Sequence, residues 1–159
     1  MENLRKYRIA VVQMDSRNDK GANVKYACQC IDEAAANGAK LISFPELYRI
    51  MTLEGAQVIF TPASFTMATG KEHWECILRT RAIENACYIV AADQIGQKHE
   101  FLAYGHSMVI DPWGTIIAKA RDEAGMFYAD IYLDYEDKIR QKVPVLKNRR
   151  ADIYEVKRR

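Results

Sequence analysis

The sequence predicts an α/β domain. Apolar, β-rich runs recur along the chain, amphipathic stretches with helical spacing lie between them, and turn residues mark the junctions. Tyr7 to Met14 (YRIAVVQM) is an apolar run suited to a strand buried on both faces. From Ala22 to Asn37, Val24, Ala27, Cys28, Ile31, Ala34 and Ala35 recur at helical spacing, and Asn37-Gly38 supplies a C-terminal stop. Lys40 to Phe44 (KLISF) reads as a second buried strand. Pro45-Glu46 follows, then a short helix from Leu47 to Glu54 that Gly55 ends, then a strand over Gln57 to Phe60.

The alternation continues. Trp74, Ile77, Leu78, Arg81 and Ala82 mark one side of a further helix, and Cys87 to Ala92 (CYIVAA) marks another strand. His106 to Ile110 and Thr115 to Ala120 are predicted to pair as a hairpin through Asp111-Pro112-Trp113-Gly114, with Pro at the first central turn position and Gly at the exit. Gly125 to Ile131 is expected to be a last strand, Asp134 is expected to cap a helix through Lys142, and residues 143–159 read as an extended charged tail with apolar anchors, packing on the domain or a partner.

The 159 residues suffice for one ordinary domain with a core, so residues 1–159 are read as a single unit. The chain is 49% hydrophobic and 28% charged with eight Gly and four Pro, a profile of folded rather than disordered proteins. Lys plus Arg number 23 against 21 Asp plus Glu, a net charge of +2, and nothing in that balance calls for nucleic acid. Met1 to Tyr7 is polar and no stretch of about 18 apolar residues occurs, so a membrane span is not expected and a cytoplasmic protein is. Cysteines at 28, 30, 76 and 87 are then expected to be free, buried thiols.

Several constellations favour structure over chemistry. Cys28 and Cys30 lie about 200° apart around a helix and cannot share a metal. His106-Ser107 lacks the flanking glycines of a nucleophile elbow, and Gly70-Lys71 lacks the upstream Gly of a phosphate loop. Arg81, Glu84 and Asn85 are spaced for a helix-face ion pair and a terminal hydrogen bond. A Glu after Pro at a helix start, as at Glu46, is favoured by the helix dipole whatever its function.

Over nearly its whole length the sequence resembles the nitrilase, or carbon–nitrogen hydrolase, superfamily. The resemblance is carried by RIAVVQM, GAKLISFPE, GAQVIFTPASF, EHWECILRTRAIENACYIVAADQ, GHSMVIDPWGTIIAKA and the ending VPVLKNRRADIYEV. FTMATGKEHW, YGHS and the tail look most like the ω-amidase branch, which hydrolyses the terminal amide of dicarboxylate monoamides. The resemblance implies a nitrilase-like αββα sandwich, a small-molecule amide substrate, no cofactor, self-association into a homo-oligomer, Glu46 at the general-base position, and Phe65 and Thr69 in the substrate pocket.

The family's chemistry needs a Cys thiolate to attack the amide carbon, a Glu to move protons and a Lys to hold the oxyanion. Its Glu motif and its later Cys motif, which resembles CYDLRFPELYR, both contain Phe-Pro-Glu. Here a single Phe44-Pro45-Glu46 is preceded by the first motif's GAKLIS and followed by the second motif's LYRIMTLEGAQVIF. Read this way, the sandwich is abbreviated by loss of central strands and a helix. The nucleophile position, five residues before Phe44, is Ala39, and the position before Phe44, often Arg in the family, is Ser43. Lys40 matches no family lysine. Two functional classes follow: an ω-amidase-like hydrolase with residual turnover, or a catalytically silent α/β remnant that self-associates. The missing thiol favours the second.

Overall fold

The computed structural model describes residues 6–13, 22, 25, 29 and 48–153. The order of elements is β1 (Lys6–Gln13), α1 (Tyr48–Leu53), β2 (Val58–Ala63), α2 (Met67–Thr69), a π-helical turn (Gly70–Trp74), α3 (Glu75–Asn85), β3 (Tyr88–Asp93), β4 (Ile95–Gln97), β5 (Leu102–Tyr104), β6 (Met108–Ile110), β7 (Ile116–Lys119), β8 (Gly125–Tyr132) and α4 (Leu133–Lys142). In the expected first helix, Ala22, Lys25 and Gln29 are helical and exposed. The expected strand Lys40 to Phe44 lies outside the described residues.

Four strands form a mixed sheet in the order β2-β3-β6-β7, while β1 pairs with β8 and β4 with β5. Strands β2 and β3 are parallel, with Val58 opposite Tyr88 and Ala63 opposite Asp93; β3 with β6, β6 with β7 and β1 with β8 are antiparallel. The fold is therefore α/β with a mixed sheet.

The apolar runs are continuous because the mixed sheet is covered on both faces. Side chains alternate along a strand, so Ile59, Ile89, Ala91, Met108 and Ile110 face the helical side and pack with Trp74, Leu78 and Ala82. Their neighbours Val58, Phe60, Tyr88, Val90 and Val109 face the other way, against Phe127, Ala129 and Ile131 of β8. Burying each large apolar side chain contributes about 1.5–3 kcal/mol, which makes these two clusters the main stabilisers of the layers.

Strand β2 reaches Ala63 and includes Pro62, beyond the expected end at Phe60. Among the described strands it borders the sheet, where a residue without an N–H is tolerated. The hairpin turn forms as expected: the Gly114 amide donates to Asp111 O and the Asp111 amide to Thr115 O, each at 2.9 Å, and Gly114 has φ +84°. The Asp111 carboxylate adds two bonds of its own, from the Trp113 and Thr115 amides at 2.9 Å. Helix α3 ends at Ala86 in the left-handed region (φ 46°), where the Cys87 amide donates back to Ala82 O at 3.3 Å.

Four local expectations are corrected. The strand after Tyr104 begins at Met108 rather than His106, because Gly105 and His106 both have positive φ. Asp134 lies in the first turn of α4, whereas the cap is Tyr132, whose extended backbone makes no side-chain cap bond. Cys76 is exposed rather than buried, while Cys87 is buried as expected. Residues 143–153, read from sequence as extended, run as successive turns, with Asn148 N donating to Pro144 O at 2.9 Å and Ile153 N to Arg150 O at 3.0 Å.

Candidate active site

Parallel strands β2 and β3 end side by side at Ala63 and Asp93, and the crevice beyond the carboxyl ends of such strands is where open α/β sheets hold ligands. Both described residues of the sequence-derived site lie there, on the loop and short helix that follow β2. Phe65 is half-buried, its ring tilted at 50° against Trp74 with centroids 4.8 Å apart. Thr69 is exposed and belongs to a capping turn: Thr66 Oγ1 accepts the Thr69 amide at 3.3 Å and lies 3.0 Å from Thr69 Oγ1. The fold thus places Phe65 and Thr69 on one segment that follows β2, with different structural tasks. Glu46 lies outside the described residues, as do Ala39, Lys40, Ser43, Cys28 and Cys30. Tyr48, two residues after Glu46, is anchored to β2 by its hydroxyl, 2.9 Å from Thr61 Oγ1.

The sequence reading missed Asp93. Its carboxylate is buried beside the rim and accepts the Phe65 amide at 2.9 Å and the Gln94 amide at 3.0 Å. Burial pushes its pKa up to about 6, against the pull of backbone amides at Phe65, Gln94 and Gly105 and of His106. Among the described residues Asp93 Oδ2 has no hydrogen-bond partner. A lone acid closing the apolar run CYIVAAD was the signal available in the sequence.

The far side of the rim is built by residues 104–107. The Tyr104 amide donates to Phe65 O at 2.9 Å, and Thr66 pairs with Ala103 in an isolated bridge, so hairpin β4–β5 clamps the loop. Gly70 is required where Tyr104 crosses: a Cβ there would lie 2.1 Å from Tyr104 Cγ. Trp74 Nε1 donates to His106 O at 3.0 Å, and the His106 ring stacks on Tyr104 with centroids 4.1 Å apart. His106 also meets Asp122, Nε2 to Oδ1, at 3.0 Å.

No described side chain here is placed as a nucleophile. Ser107 is fully buried, its hydroxyl accepting the Asp93 amide at 2.9 Å and donating to Asp93 O at 3.2 Å. Cys87 sits at the opposite end of β3, its thiol pushed up to about 12 by burial. Arg81, Glu84 and Asn85 take the structural roles expected: Arg81 Nη1 meets Glu84 Oε1 at 2.6 Å and Asn85 Nδ2 donates to Arg81 O at 2.9 Å. Among the described residues no group of three His, Cys, Asp or Glu is placed to hold a metal, and no helix is long and apolar enough to cross a membrane.

A mixed sheet with helices packed on it defines the class as α/β, and the comparisons with known proteins define the family. The carbon–nitrogen hydrolase family matches residues 8–48 and 44–141, and the chain belongs to that family. It is 47% identical over 112 residues to the deaminated glutathione amidase of Bos taurus, covering 70% of this chain and 34% of that protein. It is 42% identical over 116 residues to the omega-amidase NIT2 of Danio rerio, covering 72% and 42%. Among solved structures, the Caenorhabditis elegans NitFhit protein matches with a TM-score of 0.67 at 47% identity, over 70% of this chain and 27% of that one. Nit3 of Saccharomyces cerevisiae, of the nitrilase superfamily, matches with a TM-score of 0.62 at 35% identity, over 67% and 40%. The chain therefore spans less than half the length of these relatives.

Proposed function

We propose that this chain is a shortened amidase-type member of the family whose two Phe-Pro-Glu motifs have been fused into one, leaving the hydrolytic chemistry without its thiol and its lysine. The observation that carries this reading is the overlap of the two family matches, residues 8–48 and 44–141, on the same five residues Phe44 to Tyr48. One five-residue segment answers to two places in the family that a full-length member keeps apart.

On this reading the substrate class is a terminal carboxamide, as the names of the amidase relatives indicate. Glu46 would serve as general base, with Phe65 and Thr69 lining the pocket. A base without a nucleophile gives little turnover, because members of such a unit are strongly non-additive. The described thiols support the same conclusion, since Cys87 is buried with a raised pKa and Cys76 is exposed on α3. The fold is then an abbreviated αββα sandwich. Loss of sheet-covering elements favours association with a second copy.

The test is ammonia release from 2-oxoglutaramate and from a simple amide, with and without iodoacetamide. The expected result is no turnover that iodoacetamide removes. Thiol-dependent release above background would overturn the proposal and make the chain a working amidase.

A further inference from the structure

The imidazole of His106 is held at both of its nitrogens. Nδ1 stands 2.8 Å from Tyr104 O and Nε2 stands 3.0 Å from Asp122 Oδ1, so each ring nitrogen faces an oxygen that accepts. A neutral imidazole has one N–H and one lone pair; it satisfies one of these oxygens and turns its lone pair on the other. The imidazolium has two N–H groups and satisfies both. The geometry around His106 therefore fits the charged ring.

The two contacts differ in what can give way. The His106 backbone is left-handed with φ 57°, and its carbonyl accepts the Trp74 indole N–H at 3.0 Å. Its ring stacks on Tyr104 with centroids 4.1 Å apart and planes 13° from parallel. Tyr104 is clamped in turn, its amide donating to Phe65 O at 2.9 Å. Asp122 is the opposite case. Its side chain is 80% exposed, and it sits among the exposed residues 121–124. That loop runs from Ala120, whose amide donates to Ser107 O at 2.8 Å, to Gly125 at the start of β8. When the ring loses a proton, the remaining N–H stays with the fixed carbonyl, and the loop loses its hold. Arg121 and Glu123 of the loop line a hollow of about 310 Å³ together with Lys119, Met126 and Phe127, so the loop's position sets the width of that hollow.

We propose that His106 is a proton-operated latch: charged, it fastens the β7–β8 loop through Asp122 to the segment 104–107, and neutral, it lets the loop go. The contact is present at low pH and is lost as pH rises and the ring gives up its proton. The other ionisable groups set around the ring are the stacked Tyr104 phenol and Asp93 of β3, whose carboxyl feels the His106 charge. Arg121 and Glu123 flank Asp122 and stand 4.0 Å from each other, and Lys119 of β7 pairs with Glu75 of α3 at 3.1 Å. The latch does not depend on amide hydrolysis and stands whether or not the chain turns over an amide.

The test is an NMR titration of the full chain between about pH 5 and 8, following the His106 ring nitrogens and the amides of residues 121–124. Both ring nitrogens are expected to carry a proton at the acid end. The loop amides are expected to shift with the same midpoint as the ring, and their nitrogen–proton NOE to fall as the ring becomes neutral. Asp122→Asn, at an exposed position, keeps an oxygen and removes the charge; it is expected to shrink the loop shifts at least about twofold while the ring still titrates. His106→Asn suits the left-handed backbone, removes the titrating group and is expected to abolish them. Asp93→Asn is expected to leave them in place, which separates the latch from the buried acid that titrates at about 6. Loop amides that do not follow the ring, loop shifts unchanged in Asp122→Asn, or loop shifts lost in Asp93→Asn would each overturn the proposal.

Discussion

The Asp93 carboxylate accepts the backbone amide of Phe65 at 2.9 Å, joining the end of β3 to the loop that follows β2. One buried acid thereby sets the position of a rim residue 28 places earlier in the chain. Replacing it with Ala leaves the Phe65 and Gln94 amides without an acceptor, and a loss of about 1–3 kcal/mol is expected. Asp93→Asn keeps an acceptor oxygen and should lose less. Urea unfolding ranks the two variants, and faster amide exchange at Phe65 in Asp93→Ala locates the effect.

The same carboxyl gives stability a defined pH dependence. Its pKa is 3.8 ordinarily and about 6 in the folded protein, so between those values the native state retains a proton that the unfolded chain has released. The stabilisation is fully present below about pH 4 and is lost as pH rises through about 6, an effect of up to about 3 kcal/mol. A second decline is expected above about pH 9, because burial holds Cys87 and Tyr88 protonated up to about 12. Urea midpoints across pH should show both slopes, and Asp93→Asn should abolish the acid-side one alone.

Arg140 joins α4 to the turns around the bottom of the sheet. It pairs with the fully buried Glu136 at 2.6 Å and donates to Ala86 O at 2.9 Å and Ala56 O at 3.3 Å. Arg140→Ala removes the cation paired with a buried carboxylate, which keeps its bond from Gln57 Nε2, and is expected to cost about 3–5 kcal/mol. Arg140→Ala combined with Glu136→Gln should recover part of that loss, and a double-mutant cycle by thermal melting checks it. Additive losses would show that the pair is uncoupled.

Gly70→Ala should destabilise despite Ala's better helix propensity. The new methyl meets Tyr104 Cγ at 2.1 Å, and the overpacking is expected to cost about 1–3 kcal/mol. Tyr104→Ala in the same chain removes the obstacle and should reverse the sign of the Gly70→Ala effect, as read from the melting temperature.

Alkylation under native conditions should separate the two described thiols. Cys76 is exposed and should react with iodoacetamide, whereas buried Cys87 should react only after unfolding. Peptide mapping by mass spectrometry reads each site.

The strands and helices were legible where period and punctuation agreed. The run CYIVAA announced a strand, and Asp111-Pro112-Trp113-Gly114 announced the β6–β7 hairpin turn, because both signals are local. Phe65 and Thr69 came from family motifs, and the fold sets them on the segment after β2, one against Trp74 and the other in a capping turn. Hairpin β4–β5 went unseen, since Ile95–Gln97 and Leu102–Tyr104 are too short to show a period.

By itself, then, the sequence determined the α/β class, the family, the turn chemistry and the absence of a cysteine at position 39, all properties of neighbouring residues or of motif order. Only the tertiary structure decided that Asp93 holds the Phe65 loop, that Gly70 must be bare beneath Tyr104, and that the His106 ring stands between Tyr104 O and Asp122. Those relationships join residues that chain spacing does not relate, and they exist only once sheet register and helix packing have set the distances.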